Sequence, residues 1–118
     1  MAHSYENLKV WQDSIELASL VYALSKTFPK EEQFGLVSQI RRAAVSVSSN
    51  IAEGSSRKSK KDYTRFLDIA IGSLNEVESL LHIAIRLQFV SQAQSQPLID
   101  IILSLGNSLG AFRKYLQK

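Results

Sequence analysis

Cysteine is absent from this chain. A disulfide framework, a thiolate metal site and a thiol nucleophile are therefore all excluded. Histidine is scarce, with His3 and His82 only. A di-iron helical bundle needs Glu-x-x-His pairs on two helices. Here Glu78 and His82 stand four apart, and no second copy of that spacing occurs. A Ser-His-Asp triad would have to use His82, yet no nucleophile-elbow glycine pattern surrounds any serine. No glycine-rich phosphate loop is present either. We therefore expect no catalytic residue, no metal ligand and no cofactor, and the chain reads as something other than an enzyme. No apolar run approaches the roughly 20 residues that span a bilayer. Met1 to Glu6 lacks the basic and apolar regions of a signal peptide, so a cytoplasmic location is expected.

Proline is also rare. Pro29 and Pro97 are the two present, and both fall where the helical pattern pauses. The 118 residues suit one ordinary domain over 1–118. Leu17, Val21, Leu24 and Phe28 recur at helical spacing, with Trp11, Ile15, Ala18 and Tyr22 on an adjacent stripe, which predicts a helix from Leu8 to Phe28. A second helix is expected from about Glu31 or Phe34 to Gly54. Leu36, Ile40, Ala43, Val47 and Ile51 form its apolar face, and Gly54 is its C-terminal glycine. Ser55 to Lys58 is then the turn. Ser59, with Asp62 three residues on, opens a third helix, in which Leu67, Ala70, Leu74, Val77, Leu81 and Ala84 make a heptad seam. Ser91 to Gln96 reads as a loop, and Pro97 as part of the first turn of a fourth helix. That helix carries Leu98, Ile102, Leu105, Leu109, Phe112 and Leu116. No strand pattern appears. The fold class is all-α, an antiparallel up-down-up-down four-helix bundle. Its expected core is Leu17, Val21, Leu24, Ile40, Val47, Ile51, Leu67, Leu74, Val77, Leu81, Ile102, Leu105, Leu109 and Phe112.

The third helix carries more apolar surface than one core requires. At 100° per residue its apolar positions cover an arc of roughly 200°, whereas a helix facing a single core needs little more than about 100°. Either it touches several neighbours, or part of the arc meets another subunit. On the second helix Arg42, Ser46, Ser49 and Glu53 form a polar stripe flanked by Asn50 and Gln39. This stripe is either a solvated face or a candidate contact between subunits made by Arg42, Ser46, Ser49, Asn50 and Glu53.

Charge is modest in total and uneven in distribution. The chain carries 14 basic and 11 acidic residues, a net of +3. Arg41, Arg42, Arg57, Lys58, Lys60, Lys61 and Arg65 lie within one 25-residue window that holds only Glu53 and Asp62 as acids, so the window is +5 and the rest of the chain −2. These seven cations are the candidate nucleic-acid ligands. Phosphate contacts of this kind give affinity independent of sequence. A solvated loop with helix-end charges would look the same.

Several stretches resemble a known family. They are Leu8-Lys9-Val10-Trp11-Gln12, the block FPKEEQFGLVSQIRRAAVSVSSNIAEG from Phe28 to Gly54, and its continuation SRKSKKDYTRFLDIAIGSLNEVE. Together they resemble the bacterial four-helix bundle proteins of 23S ribosomal RNA intervening sequences. The likeness covers nearly the whole chain, and its last 30 residues match only in pattern. One departure is Ser48, where the family often has proline, which implies a straighter second helix. The resemblance implies a ring-like homopentamer without enzymatic activity. The family is similar to the accessory protein of diversity-generating retroelements, a basic pentameric barrel that binds nucleic acid and its reverse transcriptase. The partners implied are thus further copies of the chain, RNA or DNA, and a reverse transcriptase or other protein. A nucleic-acid-binding oligomer and a scaffold that binds only protein both remain open.

Overall fold

The computed structural model describes residues 4–118. A 3-10 turn at Ser4–Asn7 leads into four α-helices: α1 Lys9–Ser25, α2 Leu36–Ser55, α3 Lys60–Arg86 and α4 Gln92–Leu116. Helix α1 packs on α2, α2 on α3, α3 on α4, and α4 closes back on α1. With these short connections the path is up-down-up-down, as the seams predict. No helix among the described residues is long and apolar enough to cross a membrane.

The core forms where the four apolar seams meet. Leu17, Val47, Ile51, Leu67, Val77, Leu105 and Leu109 are fully buried. Of the expected core, Leu24 and Phe112 are only partly buried and pack against its margin. Four buried serines return their hydroxyls to helix carbonyls: Ser14 to Trp11, Ser25 to Tyr22, Ser48 to Val45 and Ser95 to Ser91. Among the described residues no buried side-chain polar atom lacks a partner, so hydrogen bonding offsets the desolvation of these hydroxyls.

Four helix boundaries differ from the sequence expectation. Helix α1 stops at Ser25 rather than Phe28. Thr27 and Phe28 donate to the carbonyls of Leu24 and Ser25 in a tighter turn, and Phe28 turns inward to meet Phe89, with ring centroids 5.9 Å apart. A 3-10 turn at Lys30–Glu32 precedes α2, which starts at Leu36 rather than at Glu31 or Phe34. There Glu32 Oε1 accepts the Leu36 backbone N–H, satisfying one of the donors that a helix start leaves open.

Gly54 does not terminate α2. It lies inside the helix, which runs on to Ser55, and no glycine among the described residues has a positive φ. Its role is close packing, because a Cβ there would stand 2.9 Å from Phe66 Cβ and 2.9 Å from Tyr63 Cδ1. The fourth difference is the segment Ser91 to Gln96, which is helical apart from its cap. Ser91 accepts from the Gln94 backbone, and the Gln94 side chain accepts from the Ser91 backbone. This reciprocal pair starts α4 at Gln92 and leaves Pro97 inside the helix rather than in its first turn. Ser59, by contrast, caps α3 as expected, accepting from the Asp62 backbone N–H.

Helix α3 ends on a residue unusual for its place. Gln88 has φ 63°. Its N–H donates to Ile85, and that of Phe89 donates to Ala84. This is the paired hydrogen bonding of a left-handed helix stop, where glycine is usual.

Candidate nucleic-acid interface

The seven candidate cations fall into two groups. Arg41 and Arg57 are separated by about 24 Å of helix at 1.5 Å per residue. Arg41 is committed to the junction of α1 and α2: its Nε donates to Ser25 Oγ at 2.8 Å, and its guanidinium lies 4.6 Å from the Tyr22 ring centroid. Arg42 is exposed and donates to Ser38 Oγ on its own helix. Neither shares a surface with the turn that follows α2.

The other five gather where α2 hands over to α3. Arg57 pairs with Glu53 one turn back. Arg65 pairs with Asp62 at 3.5 Å. Both guanidinium groups lie over the Phe66 ring, each 4.6 Å from its centroid. Cation–π contact and a carboxylate thus fix the direction of each arginine. Lys58, Lys60 and Lys61 are exposed and form no ion pair among the described residues. Beneath them Tyr63 packs edge-on against Phe112 of α4, with centroids 5.2 Å apart, and burial pushes its phenol pKa upward. Tyr63 and Phe66 therefore support the turn rather than stand free of it.

The contact between Tyr63 and Phe112 adds cations that sequence position does not suggest. In an up-down-up-down bundle, the end of α4 returns to the end where α3 begins. Arg113 of α4 pairs with Asp68 of α3, which raises the arginine pKa through its hydrogen bond and then its charge. Lys114 and Lys118 follow, both exposed, so the basic end draws on two chain segments. The signal in the sequence was the basic last turn of α4 combined with the parity of the helices.

The stripe on α2 also divides. Ser46 Oγ lies 2.8 Å from Ser73 Oγ of α3, and Asn50 Nδ2 donates to both the carbonyl and the hydroxyl of Ser46. Ser46 thereby links two helices of the same chain, and Asn50 braces it from within α2. Arg42, Ser49 and Glu53 stay exposed. His82 is largely exposed and lies 4.0 Å from Glu78. Among the described residues no group of three metal-ligating side chains comes together.

No curated protein matches the chain. A crystal structure of a protein with unknown function, from the S23 ribosomal protein family of Bacteroides thetaiotaomicron, is similar to it. The TM-score is 0.82 at 26% identity, over 89% of this chain and 98% of that one. Residues 6–111 match the family model described as 23S rRNA-intervening sequence protein. That span takes in all of α1, α2 and α3 and most of α4, and the chain belongs to the family of 23S rRNA-intervening sequence proteins.

Proposed function

We propose that this protein is a non-enzymatic, ring-like homo-oligomer, with five subunits favoured, that binds RNA or DNA through the basic end of its bundle. The observation that carries the reading is the grouping of Lys58, Lys60 and Lys61, which form no ion pair among the described residues, around one turn, beside two arginines held over Phe66. Unpaired exposed lysines keep their full charge available to phosphate. Arginines held by a ring and a carboxylate lose less side-chain freedom when they bind.

One subunit offers a handful of cations, too few for tight binding at physiological salt. An oligomer repeats them, and several turns engaging one polyanion replace single-site affinity with avidity. The family's association with ribosomal RNA sequences supports a nucleic-acid partner. The expected binding is weak per subunit and indifferent to sequence.

A salt titration of binding to labelled RNA and DNA tests this. The logarithm of affinity should fall linearly with the logarithm of salt, by about 0.9 per phosphate neutralised on duplex DNA and about 0.7 on single strands. Absence of binding at low salt would instead leave a scaffold for a protein partner. Light scattering that gives the mass of one chain at tens of micromolar would end the oligomer reading.

A further inference from the structure

A second set of cations lies at the other end of the bundle, where α1 hands over to α2, and the nucleic-acid reading makes no use of it. The chain between those helices folds beside a hollow of about 200 Å³. Lys26, Lys30 and Arg41 line it with the Gln33 amide and the Ser25 hydroxyl, and no carboxylate does. Buried Phe28 and Val37 give it an apolar wall. Among the described residues none of the three cations enters an ion pair. Arg41 is half-buried and fixed in direction. Its Nε donates to Ser25 Oγ at 2.8 Å and its Nη2 to the Tyr22 carbonyl at 3.3 Å. Ser25 is itself 2% exposed and donates to that same carbonyl. These contacts use two of the five N–H donors of the guanidinium fork, and every group that makes them is neutral. The charge of Arg41 is thus aimed without being cancelled, whereas Arg57 and Arg65 are each held by a carboxylate. Glu32, the acid nearest α2 in the connecting turn, accepts the Leu36 backbone N–H instead.

We infer that this hollow binds a phosphate monoester. Such a group carries about −1.5 to −2 charges at pH 7, which suits three converging cations better than the single charge of a carboxylate. The planar fork of Arg41 matches phosphate oxygens in pairs, and the apolar wall weakens the screening of the attraction. The hollow is smaller than the roughly 300–1,000 Å³ of sites that enclose drug-sized ligands, so it takes the phosphate and little of what the phosphate is attached to. Glu31 and Glu32 stand in the same turn as Lys30. They repel the neighbouring phosphates of a continuous strand, which favours a lone terminal group over internal backbone. A small phosphorylated molecule and the 5′-phosphate end of a nucleic-acid strand present the same dianion. The inference is independent of the basic turn after α2, which lies at the opposite end of the bundle.

Equilibrium dialysis of the full chain against radiolabelled inorganic phosphate tests the site. Binding should saturate in the millimolar range or below, at one phosphate per chain. Lys26→Gln combined with Lys30→Gln should weaken it by about tenfold or more, a loss of at least about 1.4 kcal/mol. Both lysines are exposed, so circular dichroism should show the helix content of the parent. Replacing Lys58, Lys60 and Lys61 with alanine should leave phosphate binding unchanged. That triple variant then serves to identify the source, with two unlabelled competitors: an oligonucleotide bearing a 5′-phosphate and the same oligonucleotide with a 5′-hydroxyl. Displacement of phosphate by the first alone supports the monoester site and gives it a strand end. Displacement by neither, with saturable binding intact, supports it with a small phosphorylated molecule as ligand. Displacement by both alike would show that internal backbone binds there, and the monoester assignment would fall. Absence of saturable binding to the parent, or equal affinity in the Lys26 and Lys30 double variant, would overturn the site itself.

Discussion

Gly54 and Phe66 touch backbone to side chain: a methyl group added to Gly54 would sit 2.9 Å from Phe66 Cβ. The obstacle is the root of a side chain, which cannot swing aside, so α2 and α3 would have to part. Gly54→Ala should therefore destabilise the bundle by about 1–3 kcal/mol, although alanine is the better helix former by about 1 kcal/mol. Gly110 in α4 has nothing within 4 Å of its Cβ position, and Gly110→Ala should gain roughly that 1 kcal/mol. Urea denaturation of the two variants should move the midpoint in opposite directions. A gain for Gly54→Ala would contradict the packing.

The stop of α3 gives a second prediction. Gln88 holds a left-handed conformation, φ 63°, that costs a side-chain-bearing residue about 1–2 kcal/mol. Gln88→Gly should raise stability by about 1 kcal/mol while keeping the N–H bonds to Ile85 and Ala84. Thermal unfolding checks it, and an unchanged or lower midpoint would count against the assigned geometry.

Leu74 is 2% exposed, and its Cδ2 lies 3.6 Å from the Cβ position of Gly106. Truncation there leaves a hole that Gly106 has no side chain to fill. Leu74→Ala should cost about 2–5 kcal/mol, read as a lower denaturation midpoint with helix content retained in the absence of denaturant.

Replacing Lys58, Lys60 and Lys61 together with alanine should weaken binding of all nucleic-acid sequences alike and flatten the salt dependence. Mass by light scattering should not change, because the three side chains lie outside the apolar seams. Equal affinity with an equal slope would show that the basic turn is not the site. A further alanine at Lys114 should add to the loss if α4 contributes to the same end.

The seams were legible in the sequence because burial imposes the helical period directly on residue choice, as at Leu67, Leu74 and Leu81 or Ile102, Leu105 and Leu109. The cap at Ser59 was legible too. Ser91 with Gln94 is the stronger capping signal of the two, yet proline at Pro97 drew the expected helix start past it. Gly54 and Arg41 could not be read in the same way. What they touch, Phe66 in one case and Ser25 in the other, is decided by packing between helices and leaves no local pattern. The split of the basic window was half visible, since helix length alone parts Arg41 from Arg57. The addition of Lys114 and Lys118 required knowing how many times the chain reverses.

Arg57 and Lys58 of the turn after α2, Lys60, Lys61 and Arg65 at the start of α3, and Arg113, Lys114 and Lys118 at the end of the chain all sit at one end of the bundle. Cyclic symmetry holds every subunit the same way up, so a ring of these chains would carry them on a single rim. Such a particle is two-sided. It would lie flat on a polyanion by one face only, leaving the opposite face, where α1 turns into α2 and α3 into α4, directed away and open to a different kind of partner.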